Sequence, residues 1–344
     1  MDQDAGDERI CTQVTAGAIR EAAARIADVL HPTPLMPVPV LAERLGRPVY
    51  VKPECLQRTG SFKIRGAMNR LAQLSAAERR AGVVAFSSGN HAQGVAEAAR
   101  ILGIRATIVM PADAPAIKIA RTRRAGAEVV LYDRRAESRE EKAAAIAAAR
   151  GAVLVPSFDD PMIITGQGTV GLEIAEEAAG RDIIPGTVLF PIGGGGLAGG
   201  SAVALKARFP EVHLYGVEPA GHDDAARSLR LGRRETGSDP GRASLCDGLL
   251  AAHPGRLTFP LLHRYLEEGL VVTDEEVRAA MRFAAAELKL VLEPSGAVTL
   301  AALLAGRPQV LRGAVICVLS GGNVDPALLA GVLAGEDGTE PLAP

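Results

Sequence analysis

The chain has 344 residues, with 40 acidic against 38 basic side chains, a formal net charge of −2, 48% hydrophobic residues and 3% aromatics without tryptophan. Near-neutral charge and few aromatic rings exclude a nucleic-acid platform and a charged membrane-binding surface. Four scattered cysteines, Cys11, Cys55, Cys246 and Cys317, make no C-x-x-C pair and argue against a disulfide framework or a structural zinc site.

The acidic start, 1–8, lacks the basic and apolar regions of a secretory signal and is expected to be a frayed tail. No apolar run reaches the ~18 residues of a membrane span, so a cytoplasmic protein without membrane partners is expected. Val49–Lys52 predicts a strand. It is followed by Thr59–Ala67, where Lys63 stands between a turn and a helix start. A lysine with a lowered pKa forms a Schiff base with an aldehyde; a solvated surface charge is the ordinary alternative. Val83–Phe86 predicts a second strand, then a helix over 91–102, and the strands Thr107–Met110 and Glu128–Leu131 repeat the rhythm. Val188–Phe190, His213–Val217 and Val315–Leu319 follow, each apolar on both faces as in covered parallel sheets. The pattern is α/β with mainly parallel sheets. Residues 82–158 are expected to form a small inserted domain, closed by Pro156 and the Asp159-Asp160-Pro161 turn. The large domain then takes 1–81 and 159–344, with an active site in the cleft between the two. Residues 232–242 are the most loop-like interior stretch.

Three further loops lie at strand ends. Gly193-Gly194-Gly195-Gly196-Leu197 precedes a helical run to Phe209, so successive N–H groups and a helix start can meet one anion. The spacing Gly194-x-Gly196-x-x-Gly199, with Glu218 one strand later, equally satisfies a dinucleotide fingerprint, and locally both readings are open. Ser87-Ser88-Gly89-Asn90-His91 suits a carboxylate at a helix start, or a plain N-cap. Ser320-Gly321-Gly322-Asn323 can set a hydroxyl against a ring nitrogen, or simply turn the chain from strand to helix.

Taken in order, TGSFKIRGA (59–67), SSGNHAQG (87–94), GGGGLAGG (193–200) and LSGGNVD (319–325) resemble the pyridoxal 5'-phosphate (PLP)-dependent serine/threonine dehydratases and the related serine racemases. The resemblance runs from about His31 to Asp325. It implies the tryptophan synthase β-like fold (fold type II), with two open, twisted, mainly parallel sheets flanked by helices. It also implies that Lys63 holds PLP and takes the substrate α-proton. Gly193 to Gly196 and Leu197 would bind the phosphate, Asn90 the ring oxygen, and Ser320 the ring nitrogen. Ser61, Ser87, Ser88, Gly89, Asn90 and His91 would bind substrate. A ring nitrogen facing a serine is a weak electron sink, which suits α-proton removal with prompt β-elimination.

The implied activity is an L-threonine/L-serine ammonia-lyase giving 2-oxobutanoate or pyruvate plus ammonia. Serine racemase and threo-3-hydroxyaspartate dehydratase are the near alternatives. An NAD-dependent oxidoreductase is the alternative from another class. Glu218, Asp224 and the carbonyl of His222 match a site for Mg²⁺, or Mn²⁺ or Ca²⁺, in racemase-like members; acids capping a helix are the plain alternative. Ser88 matches a racemase serine on the face of the substrate opposite the lysine. Arg139 and Glu293 also resemble that branch, with surface ion pairing as their bland alternative. Phe86, Arg58 and Ala125 depart from racemase patterns, the last two where animal racemases hold ATP, and nucleotide activation is not expected. Cys246 replaces the usual alanine near the expected pocket. Because the sequence ends soon after the resemblance does, the regulatory domain of isoleucine-pathway dehydratases is not expected. Family members are usually dimers or tetramers, so a homodimer or homotetramer acting on a small β-hydroxy amino acid is expected.

Overall fold

The computed structural model describes residue 10 and residues 12–114 and 116–335. The expected tail at 1–8 and Cys11 lie outside the described residues. Ten strands form two sheets: β1 Met36–Pro37, β2 Val49–Pro53, β3 Val83–Phe86, β4 Ala106–Pro111, β5 Glu128–Tyr132, β6 Val153–Leu154, β7 Pro185–Pro191, β8 His213–Pro219, β9 Glu268–Val272 and β10 Ala314–Leu319. The larger sheet has the order β1-β2-β10-β7-β8-β9 and the smaller one β5-β4-β3-β6. All pairings are parallel except β1 with β2.

Burial explains the strand sequences. β4 and β10 are buried at every residue, as strands covered on both faces should be. β5 departs from that expectation because it is an edge: Glu128 and Leu131 are exposed, and Glu128 pairs with Arg150. Three strands were not legible in the sequence. β1 and β6 have two residues each, and β9 begins Glu-Gly at the edge of its sheet. The stretch after Gly232 has no helix or strand until a short 3₁₀ turn at Asp247–Leu249.

The Pro161–Gly180 helix places the rest. Asp160 caps it by accepting from the N–H groups of Met162 and Ile163, and Pro161 opens it. At Gly166 a Cβ would lie 2.6 Å from the Cα of Gly66, and at Gly171 it would lie 2.4 Å from the carbonyl oxygen of Ser201. Those glycines let it press against both the Lys63–Ala72 and the Gly196–Arg208 helices, the two that carry the lysine and the glycine loop.

A buried charge network fixes the first of these contacts. Arg65 donates to both oxygens of Glu54 (2.7 and 2.9 Å), both of Glu173 (2.5 and 2.9 Å) and the hydroxyl of Thr169 (3.1 Å). Lys52 completes it, donating to Glu173 at 2.6 Å and to the carbonyl of Thr33. All five guanidinium donors are used, so the buried charge is matched in geometry as well as sign. Among the described residues, no helix is long and apolar enough to cross a membrane.

Candidate active site

The ends of β3, β7 and β10 deliver the 87–91, 193–197 and 320–323 loops to one cavity of about 210 Å³, and Lys63 lines it too. Ser61 does not line it. Its main chain bridges Gly321, and its buried hydroxyl has no hydrogen-bond partner. Gly60 accepts from the N–H of Gly322 at 2.9 Å, so the lysine loop and the Ser320 loop are stitched together.

Lys63 is partly exposed to the cleft, yet its ammonium is surrounded by protein. It donates to the carbonyl of Ser157 at 3.0 Å. Burial pulls its pKa down to about 8, against an opposing pull from Glu293. At the other end of the cavity is the glycine loop. Gly195 is left-handed (φ 92°). The carbonyl of Gly194 accepts from the N–H of Gly255 (3.2 Å) and the hydroxyl of Thr258 (2.5 Å), and that of Gly195 from Gly199. With those carbonyls engaged, the first-turn N–H groups of the following helix are left to meet an anion.

His91 is buried, and its Nε2 meets the carbonyl of Val155 at 3.0 Å. A carbonyl only accepts, so Nε2 carries the hydrogen and the orphaned Nδ1 is an acceptor. Burial and then the charge of Lys63 push the ring's pKa down to about 3. The ring therefore offers nothing to a carboxylate, and the donors available there are the main-chain N–H groups at the helix start. Ser320 makes only a 3.5 Å contact, to the carbonyl of Ser295, so its hydroxyl is open to a ring nitrogen.

For Glu293 the structure favours the cavity over the surface. Surface ion pairing was its bland alternative, but the residue is buried in the cavity wall and accepts from Asn90 at 2.5 Å. Burial, and then Asp247, raise its pKa to about 7, opposed by that hydrogen bond, Lys118 and Lys63. Arg139 is half-exposed, pairs with Glu140 and lies 5.6 Å from the Phe86 ring centroid, at the cavity. Lys118 also lines the cavity and pairs with Asp247 at 2.8 Å. Sequence reasoning missed Lys118, Phe158 and Asp247, because only long-range packing brings them here. Cys246 is buried in the core of the larger sheet and does not line the cavity.

Glu218, near the end of β8, and His222 and Asp224, just after it, do not line the cavity. Glu218 accepts from the N–H groups of Ala225 and Ala226, both at 2.8 Å. It is thus turned into a helix start and away from any ribose, which removes the acid of the dinucleotide fingerprint. Both oxygens of Asp224 are buried without a partner. Burial and the neighbouring Asp224 raise the pKa of Glu218, and burial raises that of Asp224 to about 7. The His222 ring is engaged by the carbonyl of Arg242 at 2.8 Å. Among the described residues no three His, Cys, Asp or Glu side chains cluster as a metal site. One acid with orphaned oxygens beside a second whose oxygens are already bonded fits a hard cation only if a main-chain carbonyl joins them.

The cavity fits a phosphorylated aromatic aldehyde. It offers an amine with a lowered pKa, an anion cradle and a serine hydroxyl with room to bond. The comparisons agree with that chemistry. A family model described as "Pyridoxal-phosphate dependent enzyme" matches residues 26–321. The L-threonine ammonia-lyase of Thermotoga maritima is 46% identical over 312 residues, 91% of this chain and 76% of the relative. The L-threo-3-hydroxyaspartate ammonia-lyase of a Pseudomonas species is 43% identical, covering 92% and 97%. The solved structure of maize serine racemase superposes with a TM-score of 0.85 at 37% identity, covering 94% and 98%.

Proposed function

This chain belongs to the pyridoxal-phosphate dependent enzyme family, and from that premise we propose that it is an ammonia-lyase acting on L-threonine and L-serine. The observation that carries this is the placement of Lys63, an amine hydrogen-bonded to a carbonyl and to no carboxylate among the described residues, across one cavity from the glycine loop. Bound PLP supplies an aldehyde and a ring that accepts negative charge from the substrate Cα. The 193–197 loop holds the phosphate through its N–H groups, Asn90 donates to the ring oxygen, and the Ser320 hydroxyl faces the ring nitrogen. Main-chain N–H groups of the Ser87–His91 loop bind the substrate carboxylate. Lys63, uncharged over a wider pH range than an exposed lysine, takes the α-proton. The β-hydroxyl would leave as water, the proton it takes up balancing the one removed from Cα, and hydrolysis of the product enamine would give the 2-oxo acid and ammonia.

Arg139 and Lys118 at the cavity favour a second substrate, 3-hydroxyaspartate, whose extra carboxylate a cationic rim would bind. Ser88, also at the cavity, would allow racemisation by returning a proton to the far face. Glu218, Asp224 and the His222 carbonyl would hold Mg²⁺ or a like cation. The smaller sheet is built wholly from residues 83–154, which supports an inserted domain over 82–158. Exposed Leu56 and Val291 suit a homodimer or homotetramer, and the buried thiols of Cys246 and Cys317 suit a reducing cytoplasm.

The test is a purified protein given PLP, fixed with borohydride and assayed for 2-oxo acid, ammonia and D-serine across threonine, serine and 3-hydroxyaspartate. Yellow colour, label on Lys63 and highest kcat/KM for threonine or serine are expected. A colourless protein without 2-oxo acid formation would sink the proposal.

A further inference from the structure

Glu293 stands at the N-terminus of the Pro294–Leu304 helix without capping it; its side chain makes no bond to that helix's first turn. It turns into the cleft instead, where its Oε1 accepts from the Asn90 amide nitrogen at 2.5 Å. The Asn90 oxygen is also taken, by the Asn323 amide at 2.8 Å, and Asn323 is itself anchored on the carbonyl of Thr59 at 2.7 Å. An amide is planar, so with its oxygen and one hydrogen assigned, the direction of its remaining hydrogen is fixed.

The seat of this carboxyl is built in. A Cβ at Gly321 would lie 2.1 Å from its Oε1, and Gly321 accepts from the Glu293 N–H at 3.1 Å. Residue 321 therefore has to be glycine for the acid to stand there. Glu293 is 6% exposed, and no lysine or arginine pairs with it among the described residues. The groups that face it are Lys63 and Lys118, Asp247, and the thiols of Cys55 and Cys246. An acid buried without a cation partner opposes folding, and such groups concentrate at functional sites.

We propose that Glu293 is a positioning residue: by taking one amide hydrogen of Asn90 it aims the other at the ring oxygen of the bound cofactor. This rests on the cofactor reading above and adds to it the part that orients the ring. Hydrogen bonding to that oxygen favours its ionised form, so the colour of the loaded enzyme reports the aim of Asn90.

The test is a spectroscopic pH titration of the PLP-loaded wild type, Glu293→Ala, Glu293→Gln, Asn90→Ala and the Glu293→Ala/Asn90→Ala double variant, with cofactor affinity and thermal midpoint measured on each. Glu293→Ala is expected to move the midpoint of the yellow form by about one pH unit and to weaken PLP binding about tenfold. Glu293→Gln keeps an acceptor for Asn90 and should restore most of both. Asn90→Ala should match Glu293→Ala, and the double variant should add nothing, because the two act through one bond. The proposal is overturned by a Glu293→Ala variant whose only change is its thermal midpoint, by a Gln variant no better than Ala, or by additive shifts. A wild-type protein that takes up no colour sinks the cofactor reading itself, a result distinct from all of these.

Discussion

The ammonium of Lys63 donates to the main-chain carbonyl of Ser157 at 3.0 Å, and no carboxylate pairs with it among the described residues. Burial thus outweighs the nearby charge of Glu293 and holds its pKa near 8, against 10.5 ordinarily. The folded state binds this proton less tightly than the unfolded state. The group therefore lowers stability below about pH 8, and that cost fades as pH rises toward 10.5. The free amine is also the form that captures an aldehyde. Stopped-flow uptake of PLP by apo protein should accelerate with pH around a midpoint near 8; a midpoint near 10.5 would contradict the burial. Lys63→Ala should lose both the colour and the ammonia release.

Phe158 packs over the glycine loop so closely that a Cβ at Gly194 would lie 2.1 Å from its ring. Gly194→Ala must push that ring or the loop aside, at about 1–3 kcal/mol. PLP affinity is expected to fall about tenfold or more by fluorescence titration. Adding Phe158→Leu should recover part of the loss, and an unaltered affinity in Gly194→Ala would remove the loop from the phosphate site.

Among the described residues, Arg65 is the only cation that bonds both Glu54 and Glu173. Arg65→Met leaves Glu54 buried without its ion-pair partner, and breaking such a pair costs about 3–5 kcal/mol. Burial raises the pKa of Glu54, but Arg65 and Lys52 more than offset this and hold it below its ordinary 4.5. A carboxylate depressed in the folded state stabilises above its unfolded pKa and loses that contribution as pH falls through the folded value. Urea denaturation below about pH 4.5 should therefore cost the wild type more stability than Glu54→Gln. Equal pH slopes would argue that the network contributes nothing.

Asp224 offers two buried oxygens with no partner beside Glu218. Mg²⁺ at about 100 times its dissociation constant should add roughly 2.7 kcal/mol to the loaded fold. Differential scanning fluorimetry should show a higher midpoint with Mg²⁺, reversed by chelator and absent in Asp224→Asn. A midpoint indifferent to Mg²⁺, Mn²⁺ and Ca²⁺ alike would take these acids off the site.

Much of the cavity was legible in the sequence because its parts are local. A strand end, a glycine or serine turn and a helix start sit together in the chain, and each motif carries its own donors. The central strands were legible for the same reason, since burial on both faces writes a continuous apolar run. The edges were not: β9 is only half apolar, and β5 was read as covered although Glu128 and Leu131 face solvent. Nor were the groups that long-range packing delivers. Glu293 was singled out only by resemblance, and its bond to Asn90 was not legible because the two lie 203 residues apart. Lys52 read as a routine strand residue because its partner Glu173 comes from the Pro161–Gly180 helix, far along the chain.

The stitching of residues 59–61 to 320–323 has a consequence for synthesis. The loop that holds Lys63 is completed only by a segment made some 260 residues later. A nascent chain stopped before Ser320 would carry the lysine but not its setting. Competence to take up the cofactor should therefore arrive abruptly once the 320–323 segment is made rather than build up with chain length.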